Sequence, residues 1–314
     1  MTAGKKTVTA FAPASVGNVG VGFDVLGHAL EGIGDRVRLR PAPDGEIVLE
    51  GVSGVVTDLP GDPSDNTALR SLAAIQQDFD ISAGALVGME KGIPLGSGMG
   101  GSAASAAAAV TAAADYWELD LSDEQRLHYA LQGEAVASGA LHADNVAPSL
   151  FGGLVLCEVD ETLSATRIPV PAGIVCVLVH PHLAIRTREA RKMLSAEVPL
   201  EDHVRQTMAI AGFVAGCYRD DVEMVGRCLR DFVIEPQRRD LVPGFLRVKD
   251  AALEAGALGA SLSGSGPSVF AWCRKEHADG VRQSMTRTFV DGGTRCDSWI
   301  SRVDAPGARV EQVD

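Results

Sequence analysis

Apolar and polar positions alternate over Thr7 to Phe11, again over Arg36 to Arg40, and again over Glu46 to Leu49, as half-buried strands do. Between the first two, Pro13 to Asp24 is too rich in glycine for a regular element. From Asn66 to Asp78 the period changes, and Leu69, Leu72, Ala73 and Gln76 share one side of a predicted helix. Ala85 to Met89 reads as a short buried strand, with a long helix opening at Ser102 after a glycine-rich loop. Ser122-Asp123-Glu124-Gln125 has the capping-box spacing, and the helix it opens carries the stripe Leu127, Ala130, Leu131 and Ala135. Glu134 falls on that apolar stripe. Leu154–Cys157 and Ile174–Val179 are buried-type strands, and residues 160–173 between them hold two prolines and little pattern. Beyond them, helices are predicted over 187–194, 202–218, 222–230 and 245–255, and a strand over 268–273.

The chain has 314 residues, more than the roughly 250 at which a single core stops growing, so two domains are expected, 1–165 and 166–314. A net charge of −13 argues against a general nucleic-acid binder but leaves a single nucleotide ligand open. The six cysteines, at 157, 176, 217, 228, 273 and 296, show no two-residue spacing and read as scattered thiols of a reducing compartment. The polar start, Met1 to Lys6, is unlike a signal peptide. The apolar run from Ala103 to Ala114 is too short to span a bilayer. A cytoplasmic location without membrane attachment is the expectation. His180 and His182 have no third ligand nearby and read as a strand-end pair.

The most informative segment is Pro94-Leu95-Gly96-Ser97-Gly98-Met99-Gly100-Gly101-Ser102-Ala103-Ala104-Ser105. Glycines let backbone N–H groups converge, and a following helix adds the positive end of its dipole, which together suit an anion site for polyphosphate rather than a plain flexible loop. Gly96, Gly98 and Gly101 also fit the dinucleotide fingerprint, but no second strand ends in an acid where that fold needs one. No Gly-Lys-Ser/Thr follows to make a Walker A loop, and no G-x-S-x-G makes a nucleophile elbow.

Three blocks together resemble the three motifs of the GHMP kinases. They are Pro13 to Leu26, Pro94 to Ser105, and Ser261-Leu262-Ser263-Gly264-Ser265-Gly266-Pro267-Ser268. The first block is similar to that of the homoserine kinase branch in particular. So are His142-Ala143-Asp144-Asn145-Val146-Ala147-Pro148, Thr187-Arg188-Glu189-Ala190-Arg191, and Glu235-Pro236-Gln237-Arg238. Two departures stand out. Gly101 replaces a serine of the family loop, and Gly17 and Val21 replace an alanine and a proline, changes expected to affect loop stiffness more than chemistry.

The resemblance implies an α+β, two-domain GHMP kinase fold, its N-terminal half like ribosomal protein S5 domain 2 and its C-terminal half ferredoxin-like. It implies transfer of the ATP γ-phosphoryl group to the hydroxyl of L-homoserine, a step towards threonine, with Mg2+ as cofactor and a homodimer as assembly. Residues 94–103 would cradle the phosphates, with Asn66 near the adenine or simply capping its helix. Ser102 and Glu134 would hold magnesium, which needs few protein ligands. Asn18 and Asp24 would take the substrate ammonium, Arg191 and Arg238 its carboxylate, and Thr187 and His142 would line the same pocket. Asn145 counts among the catalytic positions, without a general base being assigned. A mevalonate-type kinase, a non-catalytic sensor and a dinucleotide oxidoreductase remain as rival readings, and a mevalonate-type substrate would leave Asp24 without purpose.

Overall fold

Val8–Gly17 forms β1, buried at almost every position. Alternation over 7–11 marks only its first half. The strand runs on through Pro13 to Gly17, where glycine content points to a loop, because small residues there are covered on both faces. In this computed structural model the described residues are 6–138, 142–160 and 163–314, so most of the polar N-terminal start lies outside them.

β2 (Leu26–Pro41) runs antiparallel to β1 with a register break between Pro13 and Ser15. β3 (Ile47–Gly54), α1 (Thr67–Asp78) and β4 (Ala85–Lys91) follow. Next come α2 (Gly101–Tyr116), α3 (Asp123–Ser138), α4 (Ala143–Phe151) and the pair β5 (Leu154–Val159) and β6 (Leu163–Ile168). Residue 165 therefore sits inside a strand rather than a linker, and the chain leaves this sheet only after Ile168. β6 lacks an apolar pattern because it is an edge strand with only Ile168 fully buried.

The second sheet opens with β7 (Ile174–Pro181). Five helices intervene: α5 (Thr187–Lys192), α6 (Leu200–Tyr218), α7 (Val222–Cys228), α8 (Glu235–Arg238) and α9 (Phe245–Glu254). β8 (Ala257–Leu262), β9 (Val269–Arg274), α10 (Ala278–Asp291) and β10 (Cys296–Arg302) complete it. Its spatial order is β10-β7-β9-β8 with every pairing antiparallel, the ferredoxin-like arrangement. β11 (Arg309–Val313) then returns to the first sheet beside β1, giving the order β11-β1-β2-β4-β3, with β5 on the start of β2 and β6 beside β5.

α2 is the centre of the larger core. Every residue from Ala103 to Ala113 is buried, and it touches α1, α3, α4 and the sheet. Only a helix of alanine and other small residues lets so many neighbours approach at once. The Ser122 capping box forms as the spacing predicts, with the Ser122 N–H on Gln125 and the Gln125 N–H on the Ser122 hydroxyl. All six cysteines are free thiols. Among the described residues no helix is long and apolar enough to cross a membrane.

Candidate active site

Three segments far apart in sequence hydrogen-bond to one another where the two sheets meet. The Ser263 hydroxyl donates to the Gly98 carbonyl at 2.6 Å, and the Ser268 hydroxyl donates to the Ser97 carbonyl at 2.7 Å. The Gly264 N–H donates to Gly17 at 3.1 Å, and the Asn18 amide returns a bond to Gly264 at 2.9 Å. Gly98 adopts φ +74, and a Cβ there would lie 2.5 Å from the carbonyl oxygens of both Ser263 and Gly266. Only glycine fits that crossing. The loop delivers the chain into α2, whose first-turn N–H groups have no acceptor within the helix.

Beneath the loop lies a buried ion pair. The Lys91 ammonium contacts the Asp35 carboxylate and donates to the Gly101 carbonyl at 2.9 Å and the Ser105 hydroxyl at 2.8 Å. Asp35 also accepts the N–H groups of Gly92 and Ile93, at 3.0 and 3.2 Å. The two charges thus fasten both ends of the glycine loop. A Cβ at Gly101 would stand 3.1 Å from the Ile93 side chain, so a serine there would require Ile93 to give by a few tenths of an ångström.

Above the loop is a cleft of about 510 Å³ whose walls come from both sheets' segments. On one side Ser102, at the start of α2, hydrogen-bonds the Glu134 carboxyl projecting from α3. Burial pushes Glu134 up to about 7 against that hydrogen bond, and the neighbouring charge of Asp144 adds to the rise. Burial, followed by the charge of Asp24, likewise pushes Asp144 up to about 7. Asp144 accepts the Asn18 N–H at 2.9 Å, and Asn145 accepts the Ser15 hydroxyl at 3.0 Å. Gly17 makes room for this corner, since a Cβ there would sit 2.5 Å from the Asn145 amide nitrogen and 2.6 Å from the Asp144 carboxylate. Its replacement of alanine therefore concerns space as well as stiffness.

The far end of the cleft carries both signs of charge. Arg191 pairs with Asp24 through both guanidinium nitrogens and donates to the His142 ring at 2.7 Å. Burial lowers the His142 pKa, the Asp24 charge opposes this, and the two arginines add to the lowering, so the ring accepts as a neutral imidazole. Arg238 is only 3% exposed, and its Nε has no hydrogen-bond partner among the described residues. Among the described residues its guanidinium makes a single long hydrogen bond, 3.5 Å to the Gly264 carbonyl. Burial lowers its pKa while Asp24 raises it. Asp24 itself sits at φ +62, where its N–H is held by the Asn18 side chain at 3.1 Å.

Most residues singled out from sequence line this one cleft, including Pro94 to Gly98, Gly100 to Ser102, Glu134, His142, Asn145, Thr187 and both arginines. Three do not. Met99 and Ala103 turn their side chains into the core and could contribute backbone alone. Asn66 is a buried helix cap whose side-chain oxygen accepts the N–H groups of Ala68 and Leu69. Asn18 lines the cleft, but its amide already bonds Gly264 and Asp24, so it shapes the site as much as it faces it. Ser265 of the third motif block lies in the lining as well, whereas Phe23 there and the Asp35–Lys91 pair beneath were not singled out from the sequence. Phe23 adjoins Asp24 and could have been noticed, whereas nothing in one sequence couples Asp35 to Lys91. His180, in β7, meets Ser268 at 3.1 Å, and His182, just past the end of that strand, meets Asp297 at 2.9 Å.

Residues 66–153 match the GHMP kinases N terminal domain, and residues 213–291 match the GHMP kinases C terminal region. Homoserine kinase of Xylella fastidiosa (strain 9a5c) is 43% identical over 302 residues, 96% of this chain and 93% of that protein. Homoserine kinase of Chlorobium phaeobacteroides is 41% identical over 318 residues, 97% and 99% of the two chains. The crystal structure of homoserine kinase from Cytophaga hutchinsonii superposes with a TM-score of 0.94 at 38% identity, covering 99% of each chain. With its three motifs joined around one cleft and relatives of this similarity along its whole length, the chain belongs to the GHMP kinase family.

Proposed function

We propose that this chain transfers the γ-phosphoryl group of ATP to the side-chain hydroxyl of L-homoserine, releasing ADP and O-phospho-L-homoserine. The observation that carries the reading is a single cleft with a glycine-lined helix N-terminus at one end and charges of both signs at the other. Phosphoryl transfer asks for positioning and charge stabilisation more than for covalent chemistry, and a cleft of this kind supplies both. The loop residues and the first turn of α2 would take the polyphosphate through backbone N–H groups. Arg238, a buried cation without a carboxylate partner among the described residues, would take the substrate carboxylate, and Asp24 its ammonium. Arg191, paired with Asp24, would turn part of its fork to the same carboxylate.

Ser102 and Glu134 fit a magnesium ion. A hydroxyl and a carboxyl meet at the helix start, and burial beside Asp144 makes an anion there costly unless a cation stands by. Two protein oxygens are enough for an ion that keeps most of its waters. When bound, magnesium neutralises charge on the phosphate oxygens. Asn145 cannot take a proton at neutral pH and is better read as orienting the corner it shares with Ser15. No strong base is required, because a loose transition state makes little demand for early deprotonation.

The test is product identity. Incubated with MgATP and L-homoserine, the protein is expected to yield ADP and a phosphomonoester of homoserine in one-to-one ratio, read by phosphorus NMR. ADP with free inorganic phosphate in place of the ester would overturn the reading.

A further inference from the structure

Phe23 is an aromatic residue that packs against neither hydrophobic core. Its ring lines the active-site cleft. The Arg191 guanidinium carbon lies 5.3 Å from its ring centroid and the Arg238 carbon 5.2 Å. Two like charges repel, and each of these arginines lowers the comfort of the other in a partly buried place. Asp24 already holds Arg191 through a carboxylate, and a second carboxylate on Arg238 would neutralise it and occupy its donors. An aromatic ring holds a cation through its quadrupole while accepting almost none of the N–H groups. Arg238 thus keeps its charge and fork for an arriving anion, while Arg191 shares its fork with Asp24 and His142.

The backbone around Phe23 is correspondingly fixed. Gly22 donates to the Asn18 carbonyl at 2.8 Å, Asp24 donates to the Asn18 side chain at 3.1 Å, and Leu26 donates back to Gly22 at 2.9 Å. The α6 residue Gln206 donates to the Val21 carbonyl at 2.6 Å. The turn is tethered on both sides of Phe23, so the ring stands on a rigid base.

We infer that Phe23 is a positioning residue that holds Arg191 and Arg238 together as one carboxylate-binding unit. This rests on the homoserine reading and assigns a role to a residue outside the set of charged contacts. The test is steady-state kinetics of Phe23→Leu and Phe23→Tyr with both substrates varied. Phe23→Leu keeps apolar bulk without a π face. It is expected to raise KM for L-homoserine about tenfold or more, which is about 1.4 kcal/mol. KM for ATP should stay within about twofold and kcat within about threefold of wild type, a split that a general loosening of the fold would not give. Phe23→Tyr, which keeps the ring face, should return all three values to within about threefold of wild type.

An unchanged homoserine KM in Phe23→Leu, or equal rises for both substrates, would overturn the inference while wild-type turnover left the substrate reading standing. Loss of folding in Phe23→Leu, seen by circular dichroism, would overturn it too, since it would give the ring a structural role. Wild type that neither binds nor phosphorylates L-homoserine would remove the reading beneath it, and the inference with it.

Discussion

Glu134 is a buried carboxyl on the apolar stripe of α3, and its position has consequences both for activity and for stability. Its pKa is raised from 4.5 to about 7 in the fold. Between those values the folded chain holds a proton that the unfolded chain has lost, so stability is highest below the lower value and falls as pH rises through the higher one. Glu134→Gln cannot ionise and escapes that loss. The variant without ligands should therefore outlast wild type in urea at pH 8, by a margin on the order of 3 kcal/mol, and should nearly match it at pH 5. Its kinase activity should drop by about a hundredfold or more, since a charge-stabilising group at the phosphates is gone. A variant no more stable than wild type at pH 8 would contradict the assignment. Glu134 was legible in the sequence because a carboxylate seven residues after Leu127 breaks an apolar stripe. Asn66 was legible as a cap for the opposite reason, since it stands just ahead of the periodic run and needs no ligand to explain it.

The glycine loop shows what an element adds beyond its residues. Its composition announces an anion site, and the α2 start was predicted within one residue. The foundation was not visible, because Asp35 in β2 and Lys91 at the end of β4 meet only through strand pairing. Lys91→Met would leave Asp35 as a buried, unpaired charge, which typically costs about 3–5 kcal/mol. Urea denaturation should show that loss, and the double change Asp35→Leu with Lys91→Met should recover much of it. Both variants should bind ATP more weakly, because each frees the Gly101 carbonyl from Lys91 and the double change also frees the N–H groups of Gly92 and Ile93. A Lys91→Met protein as stable as wild type would contradict this view of the loop. Strands with weak patterns were missed for a related reason. β6, β10 and β11 are edge strands with mostly exposed or half-exposed residues, so periodicity has little to report.

At the scale of the whole molecule, the site exists because two sheets are joined by more than the linker after Ile168. His28 of β2 accepts the Trp272 indole N–H of β9 at 3.2 Å, and its other ring nitrogen faces the Ala29 carbonyl at 2.9 Å. Burial holds this histidine down near 4, against that backbone bond, so the joint is neutral at ordinary pH. β11 closes the first sheet with the last residues of the chain, and the Gly264 segment stitches the second sheet to the first. The motif order along the sequence was enough to expect this architecture, but not the hydrogen bonds through which the motifs touch. A phosphate loop from one sheet thus faces a two-signed pocket completed by the other. The most direct test follows ADP release with MgATP and, in parallel, L-homoserine, L-serine, L-threonine and mevalonate. Rapid release is expected with L-homoserine, with mevalonate no faster than the no-substrate control. Turnover of mevalonate at the rate of L-homoserine would contradict it, because a substrate without an ammonium gains nothing from Asp24.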